Sequence, residues 1–150
     1  MNLSLCCISN VLANEGTRFR RITYKSFSSI SKNEAISKIG LIALHNLEVC
    51  FKTIKQCVNI GISGYRISSD LFPLLNHPDL CMKIDDLPNI KDINFLFNEI
   101  KCFIKLNEIR ISAHPSEYIS LTSENPNTIS NSINDNGLPS LDSKSNPIAP

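Results

Sequence analysis

The stretch SKNEAISKIGLIALHNLEVCFKTIKQCVNIGISGYRI, residues 31–67, decides how this chain folds. Ser31-Lys-Asn-Glu34 has capping-box spacing, in which a Ser hydroxyl and a Glu three residues on satisfy the free amides of a helix start. Ile36, Ile39, Ala43, Leu47, Cys50, Ile54 and Val58 then recur at helical spacing until Gly61, a residue suited to ending a helix. Ile62-Ser-Gly-Tyr-Arg-Ile67 follows at once, short and rich in β-branched and aromatic residues, and reads as a strand. A long helix that turns directly into a strand predicts a parallel sheet with helical crossovers.

Both flanks repeat the rhythm. Residues 2–8 are apolar and short, consistent with a buried first strand. A second helix is expected from about Ile90 to Leu106, with Ile93, Phe97, Ile100 and Ile104 inside, and Ile109–Ala113 then forms a third strand ending at His114-Pro115. Between them Ser68–Pro88 carries three prolines and reads as a long functional loop. The expected class is α/β with right-handed crossovers. A whole (β/α)₈ barrel needs about 250 residues, so in a chain of 150 anything barrel-like is a piece. Residues 1–133 read as one domain; residues 134–150, rich in Ser, Asn and Pro, read as a disordered tail.

Fifteen Lys and Arg against fourteen Asp and Glu leave a net charge of +1, so no overall field points to nucleic acid or membrane. The six cysteines form no CxxC pair and no zinc-finger spacing, and Cys50 and Cys57, two turns apart on one helix face, are too far apart to bridge. They read as buried small hydrophobes. The first ten residues lack a basic leader region, and no apolar run reaches the roughly 20 residues of a membrane helix. A reducing, cytoplasmic setting with no membrane partner is expected.

In parallel α/β folds chemistry gathers where strands end. Three segments qualify: Ser9-Asn10, Ser68 to His77-Pro78, and His114-Pro-Ser-Glu-Tyr118. At a strand end His114 suits a metal ligand, or a histidine held by its proline and bonded to backbone. His77 lies deeper in a loop. Taken alone, Glu117 and Tyr118 suit a surface carboxylate and a half-buried ring. His45 reads as a partly exposed helical residue without a role. Arg18 to Phe27 mixes cations with aromatics, which suits a phosphate backbone and stacked bases, or a solvated basic loop. Five glycines and no GxSxG, GxGxxG or phosphate loop leave no nucleophile constellation.

Together, His45-Asn-Leu-Glu48, Gly61-Ile-Ser-Gly-Tyr-Arg-Ile-Ser-Ser-Asp-Leu-Phe-Pro-Leu74, His77-Pro78 and Ile109-Arg-Ile-Ser-Ala-His-Pro-Ser-Glu-Tyr118 resemble the ultraviolet damage endonucleases. Arg20-Arg-Ile-Thr-Tyr24 is similar to the family's early basic loop, and Asn10 to an Asn after its first strand. The resemblance runs in order over roughly residues 1–133. It implies a partial TIM barrel of about three βα units from a DNA repair nuclease that nicks damaged double-stranded DNA 5′ to photoproducts. Divalent metal ions, most often manganese, would activate water at the barrel mouth.

Carried over by position, His114 resembles a metal ligand and His77 a second, catalytic histidine. Glu117 and Tyr118 resemble the pair that probes the lesion, with Glu where the family usually has Gln; Glu adds negative charge and cannot donate as Gln does. The family's later ligands have no counterpart, since no histidine follows His114. The chain alone is therefore expected to be inactive, a truncated or split product that a C-terminal chain could complement. The alternatives are a non-catalytic module that binds DNA or a partner, and another metal-dependent TIM-barrel enzyme of the sugar isomerase-like type.

Overall fold

A computed structural model describes residues 3–75, 77, 79, 80 and 82–113. Its elements are β1 (Ser4–Cys6), α1 (Asn10–Asn14), α2 (Tyr24–Ser28), α3 (Lys32–Asn59), β2 (Gly64–Ile67), α4 (Ile90–Leu106) and β3 (Arg110–Ala113). The three strands form a parallel sheet in the order β1-β2-β3. Leu5 pairs with Tyr65, and Tyr65 with Ile111. The long helices α3 and α4 make the two crossovers. The fold is thus mixed α/β, as expected, and three strands are present among the described residues.

The ends of α3 follow from its sequence. The Ser31 hydroxyl accepts from the Glu34 amide at 3.4 Å, and Lys32 opens the helix. At the other end Gly61 turns left-handed at φ +74; its amide donates to Val58 O at 3.1 Å, and that of Ile62 to Cys57 O at 2.8 Å. These two bonds close the Schellman pattern and aim the chain into β2. The end of α4 repeats the pattern without glycine: Glu108 sits at φ +52 and the Ile109 amide donates to Ile104 O at 3.2 Å. A side chain in the left-handed region costs about 1 kcal/mol. Gly61→Ala should lower stability by about that amount and Glu108→Gly should raise it by a similar one. Chemical denaturation of the two variants checks the opposite signs.

The core lies between α3, α4 and the inner face of the sheet. Ile39, Leu47, Cys50, Ile54, Tyr65, Ile93 and Ile100 are buried there. Phe51 of α3 meets Phe103 of α4 edge-on, with ring centroids 5.5 Å apart. Gly40 lets Asn89 lie against α3, where its side-chain amide donates to Gly40 O at 2.9 Å. β2 is the central, mostly buried strand; β1 and β3 are mostly exposed.

Cys50 and Cys57 are free and buried, as the helical spacing implied. Burial pushes the Cys50 thiol up from 9.0 to about 12, and raises Cys57 and the Tyr65 phenol as well. The unfolded chain ionises these groups first, so it binds fewer protons than the native state once the pH passes the ordinary thiol value. The share of stability linked to Cys50 is therefore complete below about pH 9 and is lost as pH rises towards 12, by about 1.4 kcal/mol per pH unit, and the raised Cys57 and Tyr65 act in the same direction. Thermal unfolding in reductant should show this alkaline slope, and Cys50→Ala should make it shallower by one group's share.

Candidate nucleic-acid interface

The three strands run the same way, so their C-terminal ends open onto one side of the sheet. Beyond β1, Ser9 is extended and caps α1: its hydroxyl accepts from the Leu12 amide at 3.3 Å and donates to Gln56 Oε1 of α3 at 2.5 Å. This tie fixes where α1 starts. Asn10 follows as its first residue, exposed, on the rim of a cleft of about 350 Å³. Arg18, Phe19, Arg21 and Asp70 line the same cleft.

The basic segment between α1 and α2 has no regular structure, and side chains from α3 hold it. Asn46, fully buried, accepts from the Arg20 amide at 2.8 Å and donates to Arg20 O at 2.9 Å and to Asp70 O at 2.8 Å. Its one amide group thus joins the basic segment to the loop after β2. Beside it, His45 Nε2 donates to Arg18 O at 3.0 Å. Arg18 Nε in turn donates to Ala13 O of α1 at 2.9 Å, and Arg21 pairs with the Asp70 carboxylate at 2.6 Å. The Ser68 hydroxyl, 3.2 Å from the same carboxylate, orients it. With the backbone of Arg18 and Arg20 anchored, these two arginines and the Asp70-paired Arg21 present exposed guanidinium groups from a fixed origin. That costs less ordering on binding an anion than a free loop would.

His77 is half-buried, and its ring stacks on Tyr24 with centroids 4.3 Å apart and planes 3° from parallel. Its Nδ1 accepts from the Asp79 amide at 3.3 Å. A neutral ring arranged this way carries its proton on Nε2 and acts as a donor at its outer nitrogen. Tyr24 is 40% exposed, so the stack offers an aromatic edge three residues along the chain from Arg21. Chemically, the assembly can take phosphate oxygens on guanidinium and imidazole N–H groups and can pack a base or sugar against Tyr24.

Of the residues proposed from sequence, Asn10 and His77 lie on this side of the sheet. His114, Glu117 and Tyr118 lie outside the described residues. The reading of His45 as a residue without a role needs correction: it is half-buried and holds the Arg18 carbonyl. Ser68–Pro88, read as a loop without a long periodic pattern, contains two short 3-10 turns, Ser69–Leu71 and Ile84–Asp86. The roles of Asn46 and Ser9 were missed. A polar residue among the apolar positions of a long helix was the signal for Asn46. Among the described residues no three His, Cys, Asp or Glu side chains come together that could hold a metal ion, and no helix is long and apolar enough to cross a membrane.

The family model for UV-endonuclease UvdE matches residues 1–137. The UV DNA damage endonuclease of Bacillus anthracis (strain A0248) is 31% identical over 116 residues, which are 77% of this chain and 35% of that protein. The protein of the same name from Bacillus cereus (strain 03BB102) is 30% identical over a stretch of the same length. A solved structure, described as the crystal structure of SacUVDE, superposes with a TM-score of 0.70 at 27% identity, covering 90% of this chain and 42% of that one. The chain spans about a third of the length of the curated relatives it matches. With residues 1–137 matched and the fold shared, the chain belongs to the UV-endonuclease UvdE family.

Proposed function

We propose that this chain supplies the DNA-contacting part of a metal-dependent repair nuclease that incises duplex DNA 5′ to ultraviolet photoproducts. In this reading its three strands are a piece of a TIM barrel whose mouth receives the damaged strand. The observation that carries it is the anchored basic rim, in which His45 and Asn46 fix the backbone of Arg18 and Arg20, Asp70 pairs with Arg21, and Asn10 shares the cleft with Arg18 and Arg21. Family membership makes DNA the substrate to consider first.

Within that assembly the arginines bind backbone phosphates and Asn10 meets the groove. Tyr118, with Glu117 beside it, probes the lesion. His77 presents an N–H towards phosphate near the site of incision, and His114 holds manganese together with ligands from elsewhere in the enzyme. The described residues do not by themselves make a metal site, so the roles derived for them are binding and orientation. The anchored basic rim would serve equally in a second reading, a module that binds DNA or a partner chain without incising it. The family match leaves the sugar isomerase-like alternative without support.

Equilibrium binding of the chain to irradiated and intact duplexes tests the proposal. We expect tighter binding to irradiated DNA, with the preference reduced about tenfold in Tyr118→Ala, because one stacked contact contributes about 1–3 kcal/mol. Arg21→Ala should weaken binding to both duplexes equally and reduce the salt slope by about 1. Equal affinity for the two duplexes would sink the damage-recognition reading and leave general DNA binding.

A further inference from the structure

Neighbouring residues in a strand point to opposite faces, which normally keeps adjacent cysteine sulfurs apart. Cys6 and Cys7 depart from this. Cys6 ends β1, and Cys7 leaves the extended region with φ +58. The Ile8 amide donates to Cys6 O at 2.7 Å, closing a three-residue γ-turn centred on Cys7. The turn brings the two sulfurs to 3.6 Å. It is fixed from outside as well: the Cys7 amide donates to Arg66 O at 2.8 Å, and the Tyr65 hydroxyl, in the core, donates to Cys7 O at 2.9 Å. Both thiols are free; Cys6 is exposed and Cys7 half-buried.

We propose that Cys6 and Cys7 form a preorganised dithiol site for a soft, thiophilic centre, specifically trivalent arsenic in an organoarsenical. Two sulfurs in van der Waals contact suit two bonds to one small atom, and the fixed turn removes most of the ordering cost of chelation. Zinc seeks four donors, of which this turn offers two. Trivalent arsenic needs three, and an organic group already fills one. The step is a condensation without redox change: the arsenic–oxygen double bond of an arsine oxide breaks and two arsenic–sulfur bonds form. The two thiol protons leave with the oxygen as one water.

Disulfide formation suits the pair less well. A disulfide needs the sulfurs at about 2 Å, whereas the fixed turn holds them 3.6 Å apart, a span that suits one bridging atom. The buried cysteines of α3 offer no competing chelate, since Cys50 and Cys57 lie about 10 Å apart along the helix.

The test is intact-mass spectrometry of the full, reduced 150-residue chain treated with phenylarsine oxide in the presence of excess glutathione. A monothiol strips arsenic from single cysteines, whereas a chelated adduct survives it and is released by ethanedithiol. The expected result is one glutathione-resistant adduct per chain, its mass that of the chain plus one phenylarsine oxide less one water. It should disappear in Cys6→Ala and in Cys7→Gly, a substitution that tolerates the positive φ, and persist in Cys81→Ala and Cys102→Ala. Circular dichroism of each variant establishes that it is folded. No resistant adduct on the parent chain, its persistence in a folded Cys6→Ala variant, or its loss in Cys102→Ala would each overturn the proposal.

Discussion

Replacing Asn46 with Ala is expected to lower the stability of the chain by about 3 kcal/mol and to release the basic segment from α3. The side chain is fully buried and makes three hydrogen bonds of 2.8–2.9 Å to backbone groups of Arg20 and Asp70. Removing it leaves one amide and two carbonyls without a partner, each worth about 1–3 kcal/mol if it stays dry. The segment lies at the surface, so water reaches part of what is exposed, and about 3 kcal/mol is a fair midpoint. Asn46→Asp should fare no better, because it would turn a second acceptor towards two carbonyl oxygens.

Leu41, on the same helix but 66% exposed, is the control, and Leu41→Ala should stay within about 0.5 kcal/mol. Native-state hydrogen exchange gives the local readout. The Arg20 amide should lose protection in Asn46→Ala even where the core of α3 keeps it. A loss below about 1 kcal/mol with Arg20 still protected would mean that the segment is held by other contacts.

Asn46 also illustrates what could be read in the sequence. The bounds of α3 and α4 were legible because their signals are local: a Ser31 cap, a glycine at the left-handed position, and apolar residues repeating at helical spacing. Strand positions were legible to within a few residues. The five-residue helices α1 and α2 were not, since one turn and a half shows no periodicity, and their starts depend on the Ser9 and Thr23 caps. The side of the sheet carrying the site followed from the strand-end rule alone. The bonds that build the basic rim did not, because they join residues 24 to 27 positions apart that only the fold brings together. The same holds for the Tyr24–His77 stack. Neither residue signals the other, and the contact arises where a crossover and a strand-end loop meet.

The 150-residue chain with manganese should leave ultraviolet-irradiated plasmid uncut, at least about 100-fold below a chain of the relatives' full length; disturbing even an outer-shell partner of a metal ligand costs 10–100-fold. Metal-assisted hydrolysis of a phosphodiester needs a coordination shell that fixes both the ion and its open positions. Manganese takes a shell rich in carboxylate and water oxygens. Among the described residues the strand-end side of the sheet offers one imidazole, that of His77. The Asp70 carboxylate, the acidic group in the cleft lining, is already engaged by Arg21 at 2.6 Å. His77 has Nδ1 occupied by the Asp79 amide and its face covered by Tyr24, an arrangement better suited to donating to phosphate than to ligating. Among the described residues, then, the donors for a metal cluster are not gathered at this cleft. Adding the remaining two thirds of a Bacillus relative, in trans or as a fusion, should restore nicking of irradiated plasmid that chelators abolish. Restored nicking should fall on His77→Ala with little change in DNA affinity, since binding rests chiefly on the arginines. Incision by the 150 residues alone would show that the shell is completed within this chain. Binding to irradiated DNA without incision, even after complementation, would instead favour the module that recognises damage and does not cut.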